Sequence, residues 1–256
     1  MDVLEKILAG VKVSLAAGDF PEAIKGVQKG LDLFPDQFSL LIAATDVYRA
    51  CGDREKSLHY SGVLLSRYPE KPPGYIRMVQ DLVVLKRFQA ARVHLSDAEK
   101  RFPDNLKLLV AGTEVSRALD DRDQSLVYSE RLLACYPDSV SGYIRSAQDL
   151  LAIKKIRKAR RRIQLGLSLF PGHIRLQALA LDVSVELKER HEVRHYAQLV
   201  CKNATNVTRN DAMFLLKHFI KELRNRRDVD LNWPAFIALL EEQIDFNHLS
   251  KVILSG

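Results

Sequence analysis

Two short stretches of this 256-residue chain carry the residue types that could do chemistry. His191-Glu192-Val193-Arg194-His195 spells H-E-x-x-H, the helical arrangement in which two imidazoles four residues apart hold zinc while the glutamate activates a water. Two histidines at that spacing equally describe a solvated helix face. A third ligand would have to come from Glu222 or beyond, and the preceding Leu187-Lys188-Glu189-Arg190 has the composition of an ordinary turn. The sequence contains no phosphate loop, nucleophile–base pair or Gly-rich turn. We therefore expect a non-catalytic chain with no metal site and no cofactor, adventitious metal binding being the lesser alternative.

The second stretch is the basic run Lys154-Lys155-Ile156-Arg157-Lys158-Ala159-Arg160-Arg161-Arg162. The segment 140–173 has eight Lys and Arg residues against one acid, Asp149, so its charge of +7 equals that of the whole chain. On a helix, Ile156, Ala159 and Ile163 face inward. Arg157, Lys158, Arg161 and Arg162 share the opposite face, with Lys154 and Lys155 where the helix starts. Such a face attracts phosphates, anionic headgroups, or an acidic protein or glycan, with strong salt dependence. No aromatic interleaves the run to stack on bases, which argues against nucleic acid. The inner face is needed for the core, which argues against a membrane-surface helix. A solvated face without a partner is the alternative.

The elements that position these stretches follow from a repeated dipeptide. Phe34-Pro35, Tyr68-Pro69, Phe102-Pro103, Tyr136-Pro137 and Phe170-Pro171 lie 34 residues apart. That period marks a stacked helix-turn-helix array. The units are 4–37, 38–71, 72–105, 106–139, 140–173 and 174–207. Each half carries apolar residues at helical spacing, such as Leu40, Leu41, Ala44, Val47 and Tyr48. The proline ends the second helix because it lacks an N–H and clashes with the preceding turn. Turns are expected at Gly18-Asp19, Gly52-Asp53, Asp120-Asp121 and Lys154-Lys155, with Pro72-Pro73-Gly74 imposing an extended or turn entry before its helix. A single helix pair cannot bury its apolar stripe, so neighbours must stack. A second period overlies the first: 38–105 and 106–173 align without gaps and match at 29 of 68 positions. Either this is duplication without functional content, or a binding surface repeats every two units.

Gly18-Asp19-Phe20-Pro21-Glu22-Ala23-Ile24, the set Tyr75, Val79, Ala91, Leu95, Ala98 and Pro103, and the set Tyr143, Ala147, Ala159, Ile163, Gly166 and Pro171 resemble the tetratricopeptide repeat. The likeness covers roughly residues 4–207. Ser57, Ser125 and Val193 depart from it where alanine is usual, and Thr205 replaces the last proline. The resemblance implies an all-α, right-handed superhelical solenoid of about six repeats, the first helix of each lining a concave groove. At the groove positions stand Ile42, Asp46 and Arg49; Ile76, Arg77 and Gln80; Val110, Glu114 and Arg117; Ile144, Arg145 and Gln148; and Asp182. The Lys and Asn residues of the family's carboxylate clamp for chaperone tails are absent. An apolar row beside acids and amides suits a peptide or partner helix. The expected function is a protein-interaction scaffold. The Gly-Tyr-Ile-Arg and Gln-Asp-Leu elements are also loosely similar to repeat arrays attached to bacterial enzymes of surface-polysaccharide synthesis, so an accessory domain of a glycosyltransferase assembly is the alternative.

Composition sets the remaining bounds. Hydrophobic residues make up 47% of the chain, enough for a continuous core, yet no apolar run approaches the length of a membrane span. The first residues, Met1-Asp2-Val3-Leu4-Glu5-Lys6, lack the pattern of a signal peptide. Cys51, Cys135 and Cys201 are widely spaced and odd in number, which reads as reduced thiols in a cytoplasmic setting. Residues 208–256 are expected to form a helical cap over the end of the stack or a docking segment. One helix would start near Asn210 and another near Asn232.

Overall fold

The computed structural model describes residues 2–189 together with 191, 192, 195, 196 and 199. The expected cap and the boundary at 207 lie outside the described residues. The chain divides into two compact units, Met1–Cys135 and Tyr136–Gly256. In the first, eight helices form four hairpins: α1 (Val3–Ala16) with α2 (Phe20–Leu33), α3 (Phe38–Ala50) with α4 (Arg54–Arg67), α5 (Pro72–Val84) with α6 (Phe88–Arg101), and α7 (Leu106–Ala118) with α8 (Arg122–Cys135). In the second, α9 (Val140–Ala152) pairs with α10 (Ile156–Leu169), and α11 (Ile174–Glu186) packs on both. Among the described residues the chain is entirely helical outside its turns.

The 34-residue period is written into the backbone. Gly18, Gly52, Lys86, Asp120, Lys154 and Lys188, each 34 residues after the last, all have positive φ between 58° and 88°. Each reverses the chain between the two helices of its repeat. The next residue then caps the second helix where it is an aspartate. Asp19, Asp53 and Asp121 accept hydrogen bonds from the backbone N–H groups of Glu22, Lys56 and Gln124 at 3.0–3.1 Å, satisfying donors that the first turn leaves open.

At the other end of the hairpins the aromatic of the aromatic-proline pair leaves the helical region, with φ of −138° and ψ of 70° at Phe34 and −129° and 66° at Phe170, since the following proline disfavours helix there. In three of the repeats its ring covers an aromatic of the same repeat: Tyr68 on Phe38 at 5.0 Å, Phe102 on Tyr75 at 5.9 Å and Phe170 on Tyr143 at 6.1 Å. The motif thus ends a helix and closes the repeat in one step.

Before α5 the chain passes through an extended Lys71, with φ −114° and ψ 129°, and the two prolines follow. They form the first turn of α5 itself, where a missing N–H leaves no bond unmade and a fixed φ suits the helix. Gly74 follows inside that helix because α4 passes close to it. A Cβ there would stand 3.1 Å from Leu64 Cβ and 3.3 Å from the Leu65 nitrogen.

The small-residue position early in the second helix of each repeat is solvent-free in every described copy: Ala23, Ser57, Ala91, Ser125 and Ala159 are each 0% exposed. Two of these five are serines, and for Ser57 the reason is polar. It donates a hydrogen bond to Asp81 of α5, whose carboxylate is itself fully buried.

Candidate functional site

In the first unit, α3, α5 and α7 surround a hollow of about 390 Å³. Asp46 and Arg49 come from α3, Ile76, Arg77 and Gln80 from α5, and Leu106, Lys107 and Val110 from α7. Six of these eight are residues that the repeat register assigns to a groove. Leu106 and Lys107, in the first turn of α7, are not among the residues named for the groove. Ile42, Glu114 and Arg117 lie half-buried on the same helices without lining the hollow. The remaining candidates belong to the second unit, where Ile144 is buried and Arg145, Gln148 and Asp182 are half-buried on α9 and α11.

The polar wall of the hollow is organised by bonds from one repeat to the next. Arg77 Nη2 donates to both oxygens of Asp46 at 2.8 and 3.0 Å. Arg49 Nη2 donates to Gln80 Oε1 at 2.9 Å, and its Nε lies 3.1 Å from Asp81 Oδ1. Behind that wall, Arg54 Nη1 reaches the same Asp81 oxygen at 2.6 Å. Asp81 thus gathers two guanidinium groups and the Ser57 hydroxyl, the partners a buried carboxylate requires. Burial lowers the Arg49 pKa from its ordinary value, and the charge of Asp81 opposes that shift. Asp46, Arg49 and Gln80 are therefore built into the wall before any partner arrives. Arg77 Nε is buried with no acceptor among the described residues.

The floor is aliphatic. Ile76 is 7% exposed, Val110 is half-buried, and Leu106 is 38% exposed at the rim. Lys107 is exposed beside it. Counting Arg54 and Asp81 behind the wall, four basic groups stand against two acidic ones. The hollow can take an apolar side chain while offering hydrogen bonds at its edges.

In the second unit the basic run forms the start of α10. Ala159 and Ile163 are buried as expected, Lys154, Lys155, Arg157, Lys158 and Arg161 are exposed, and Arg162 is half-buried. Arg160 is the structural member of the run. It bonds Glu189 at 2.7 Å and Glu192 at 2.6 Å, and the bond to Glu189 leads in raising its pKa.

That contact also bears on H-E-x-x-H. Both carboxylate oxygens of Glu192 accept hydrogen bonds, one from Arg160 and the other from Ser184 Oγ at 3.2 Å. His191 and His195 are exposed, with the His195 ring against Tyr196 at 5.2 Å. Glu192 is engaged as a tie to α10 and α11, which is unlike a glutamate poised over a metal-bound water. Among the described residues no three His, Cys, Asp or Glu side chains are grouped to hold a metal ion.

No protein-family model and no curated protein matches the sequence. Solved structures match the fold. PilF of Pseudomonas aeruginosa is 14% identical, covering 87% of this chain and 97% of its own, with a TM-score of 0.67. A tetratricopeptide repeat protein from Parabacteroides merdae is 14% identical over 85% of this chain and 84% of its own, with a TM-score of 0.63. A thermophilic tetratricopeptide repeat protein of Thermus thermophilus, at 20% identity, covers 77% of this chain and 99% of its own with a TM-score of 0.54. The chain thus has the tetratricopeptide-repeat fold. No described helix is long and apolar enough to cross a membrane.

Proposed function

We propose that the chain is a non-catalytic interaction scaffold and that the hollow between α3, α5 and α7 takes an extended peptide segment of a partner protein. The observation that carries this reading is the pairing of an aliphatic floor, Ile76, Leu106 and Val110, with a polar wall already fixed by Asp46–Arg77 and Arg49–Gln80. A wall held in place loses little side-chain freedom on binding, so more of the contact energy appears as affinity. An apolar side chain of the peptide fills the hollow, and a backbone carbonyl takes the exposed donor at its edge, Lys107.

Val110→Arg fills the hollow without touching the wall bonds. Pulldown from the source lysate with wild type and with this variant, each checked by circular dichroism, tests the reading. A protein recovered by wild type and lost with Val110→Arg supports it. Equal recovery by both overturns it. Residence in the cytoplasm and attachment to an enzyme of polysaccharide synthesis are narrower forms of the same proposal. The second of these requires that the recovered protein be such an enzyme.

A further inference from the structure

The basic run accounts for only half of the outer face of α10. Lys158, Arg161, Leu165 and Leu169 follow one another at steps of three, four and four residues, which puts them in one row along the helix. All four are exposed, Leu165 at 52% and Leu169 at 50%. Arg157 flanks the row, and Lys154 and Lys155 stand at its start. The face is therefore divided along its length, cations in its first half and leucines in its second. The inner face, with Ala159, Ile163 and Gly166, is buried.

This arrangement works against the helix in the free protein. The first turn of α10 contains no acid to offset its cations. Cations at the positive end of the helix dipole are unfavourable. So are like charges three and four residues apart, as in Arg157 with Arg161 and Lys158 with Arg161. Among the described residues no carboxylate pairs with Lys155, Arg157, Lys158 or Arg161. Lys154 has Glu186 at 3.5 Å, with both side chains mostly in water.

We propose that the outer face of α10 docks on an anionic lipid bilayer, its cations against lipid phosphates and Leu165 and Leu169 entering the headgroup boundary. The exposed leucines choose this occupant. A soluble phosphate polymer or acidic glycan would satisfy the cations but gives the leucines no apolar phase. The face also presents no aromatic for bases to stack on. The row spans roughly 16 Å at 1.5 Å per residue, short enough for one helix side to rest on a flat surface while its inner face stays in the core. Interfacial binding scales with buried apolar area plus attraction to anionic lipid; because the inner face of α10 is taken up by the core, its outer cations and leucines must supply both.

The test is sedimentation of the full chain with vesicles of equal parts phosphatidylcholine and phosphatidylglycerol. Wild type is expected to sediment in about 0.1 M salt and to be released by about 1 M, where the screening length falls to about 3 Å. It should remain in solution with phosphatidylcholine alone. Arg157→Glu with Arg161→Glu should abolish binding, since each cation near an anionic surface contributes about fivefold in affinity. Leu165→Ser with Leu169→Ser should weaken it by about tenfold while leaving the circular dichroism spectrum unchanged, because both side chains already face water. Failure of wild type to sediment at low salt overturns the proposal. Binding undiminished in the serine variant also overturns it, because the face would then read charge alone, as for a soluble polyanion.

Discussion

The hydroxyl of Ser57 donates to the carboxylate of Asp81, and both side chains are wholly shielded from solvent. Arg49 of α3 and Arg54 of α4, both from the preceding repeat, approach the same carboxylate. Removing one member of such a group leaves the others desolvated and incompletely bonded. Asp81→Ala should therefore cost about 3–5 kcal/mol of unfolding free energy. Ser57→Ala, although it restores the usual small apolar residue, should cost about 1–2 kcal/mol. Urea denaturation of both single variants and the double variant measures this. A double variant no worse than Asp81→Ala alone is the expected sign that the serine acts through the carboxylate.

The repeated left-handed turn makes a second prediction. Lys86 holds φ at 58° where Gly18 and Gly52 hold 75° and 88°. A side chain in that region costs roughly 1–2 kcal/mol, partly offset because glycine loses more freedom on folding. Lys86→Gly should stabilise the chain by about 0.5–1 kcal/mol, and Gly52→Ala should destabilise it by at least as much. Asp120→Gly should gain less, since aspartate tolerates this conformation better than lysine. Thermal unfolding of the three variants gives the order, and a loss of stability in Lys86→Gly would contradict it.

Most of the fold can be read from the sequence because repetition puts the evidence on the page several times. Five aromatic-proline pairs fix the ends of the hairpins, and turns expected at 18, 52, 120 and 154 all have positive φ. The groove register also selects Asp46, Ile76 and Gln80, which line the hollow. What the register could not reveal is what those polar side chains bond to. Asp46 and Gln80 read as a ladder open to a partner, whereas each is tied to an arginine 31 residues away. A pairing across repeats leaves no local periodicity, so hydrophobic pattern does not report it. One signal was available: Ser57 with Asp81 recurs in the sequence as Ser125 with Asp149 under the two-unit period.

Gly112 and Tyr128 form a lock of a different kind. A Cβ at Gly112 would stand 2.5–2.7 Å from three ring carbons of Tyr128, and the ring is 7% exposed. The equivalent place two units earlier is Ala44, whose partner position holds Tyr60, a ring that instead stacks on Tyr48 at 5.5 Å. Gly112→Ala should overpack the α7–α8 junction and cost about 1–3 kcal/mol. Adding Tyr128→Leu, which withdraws the ring, should make the alanine nearly neutral. If Gly112→Ala costs the same in both backgrounds, the ring is not the obstacle.

The same tyrosine makes stability sensitive to alkali. Burial raises the Tyr128 pKa above its ordinary value of 10.0, and the hydroxyl adds to this by donating to Glu99 at 2.8 Å. In the unfolded chain the phenol ionises near 10, so above that pH the unfolded state binds fewer protons than the folded one. Unfolding free energy must then fall as pH rises. The contribution of Tyr128 is fully present below about pH 10 and is lost above it, at up to about 1.4 kcal/mol per pH unit. Tyr128→Phe should be less stable than wild type near pH 8, having lost the bond to Glu99. That deficit should shrink above about pH 10, because phenylalanine has no proton to lose. Lysines and the other tyrosines titrate in both chains, so the difference between the two urea curves isolates this group. A deficit that stays constant from about pH 8 to about pH 11 would place the Tyr128 hydroxyl in water, contrary to its contact with Glu99.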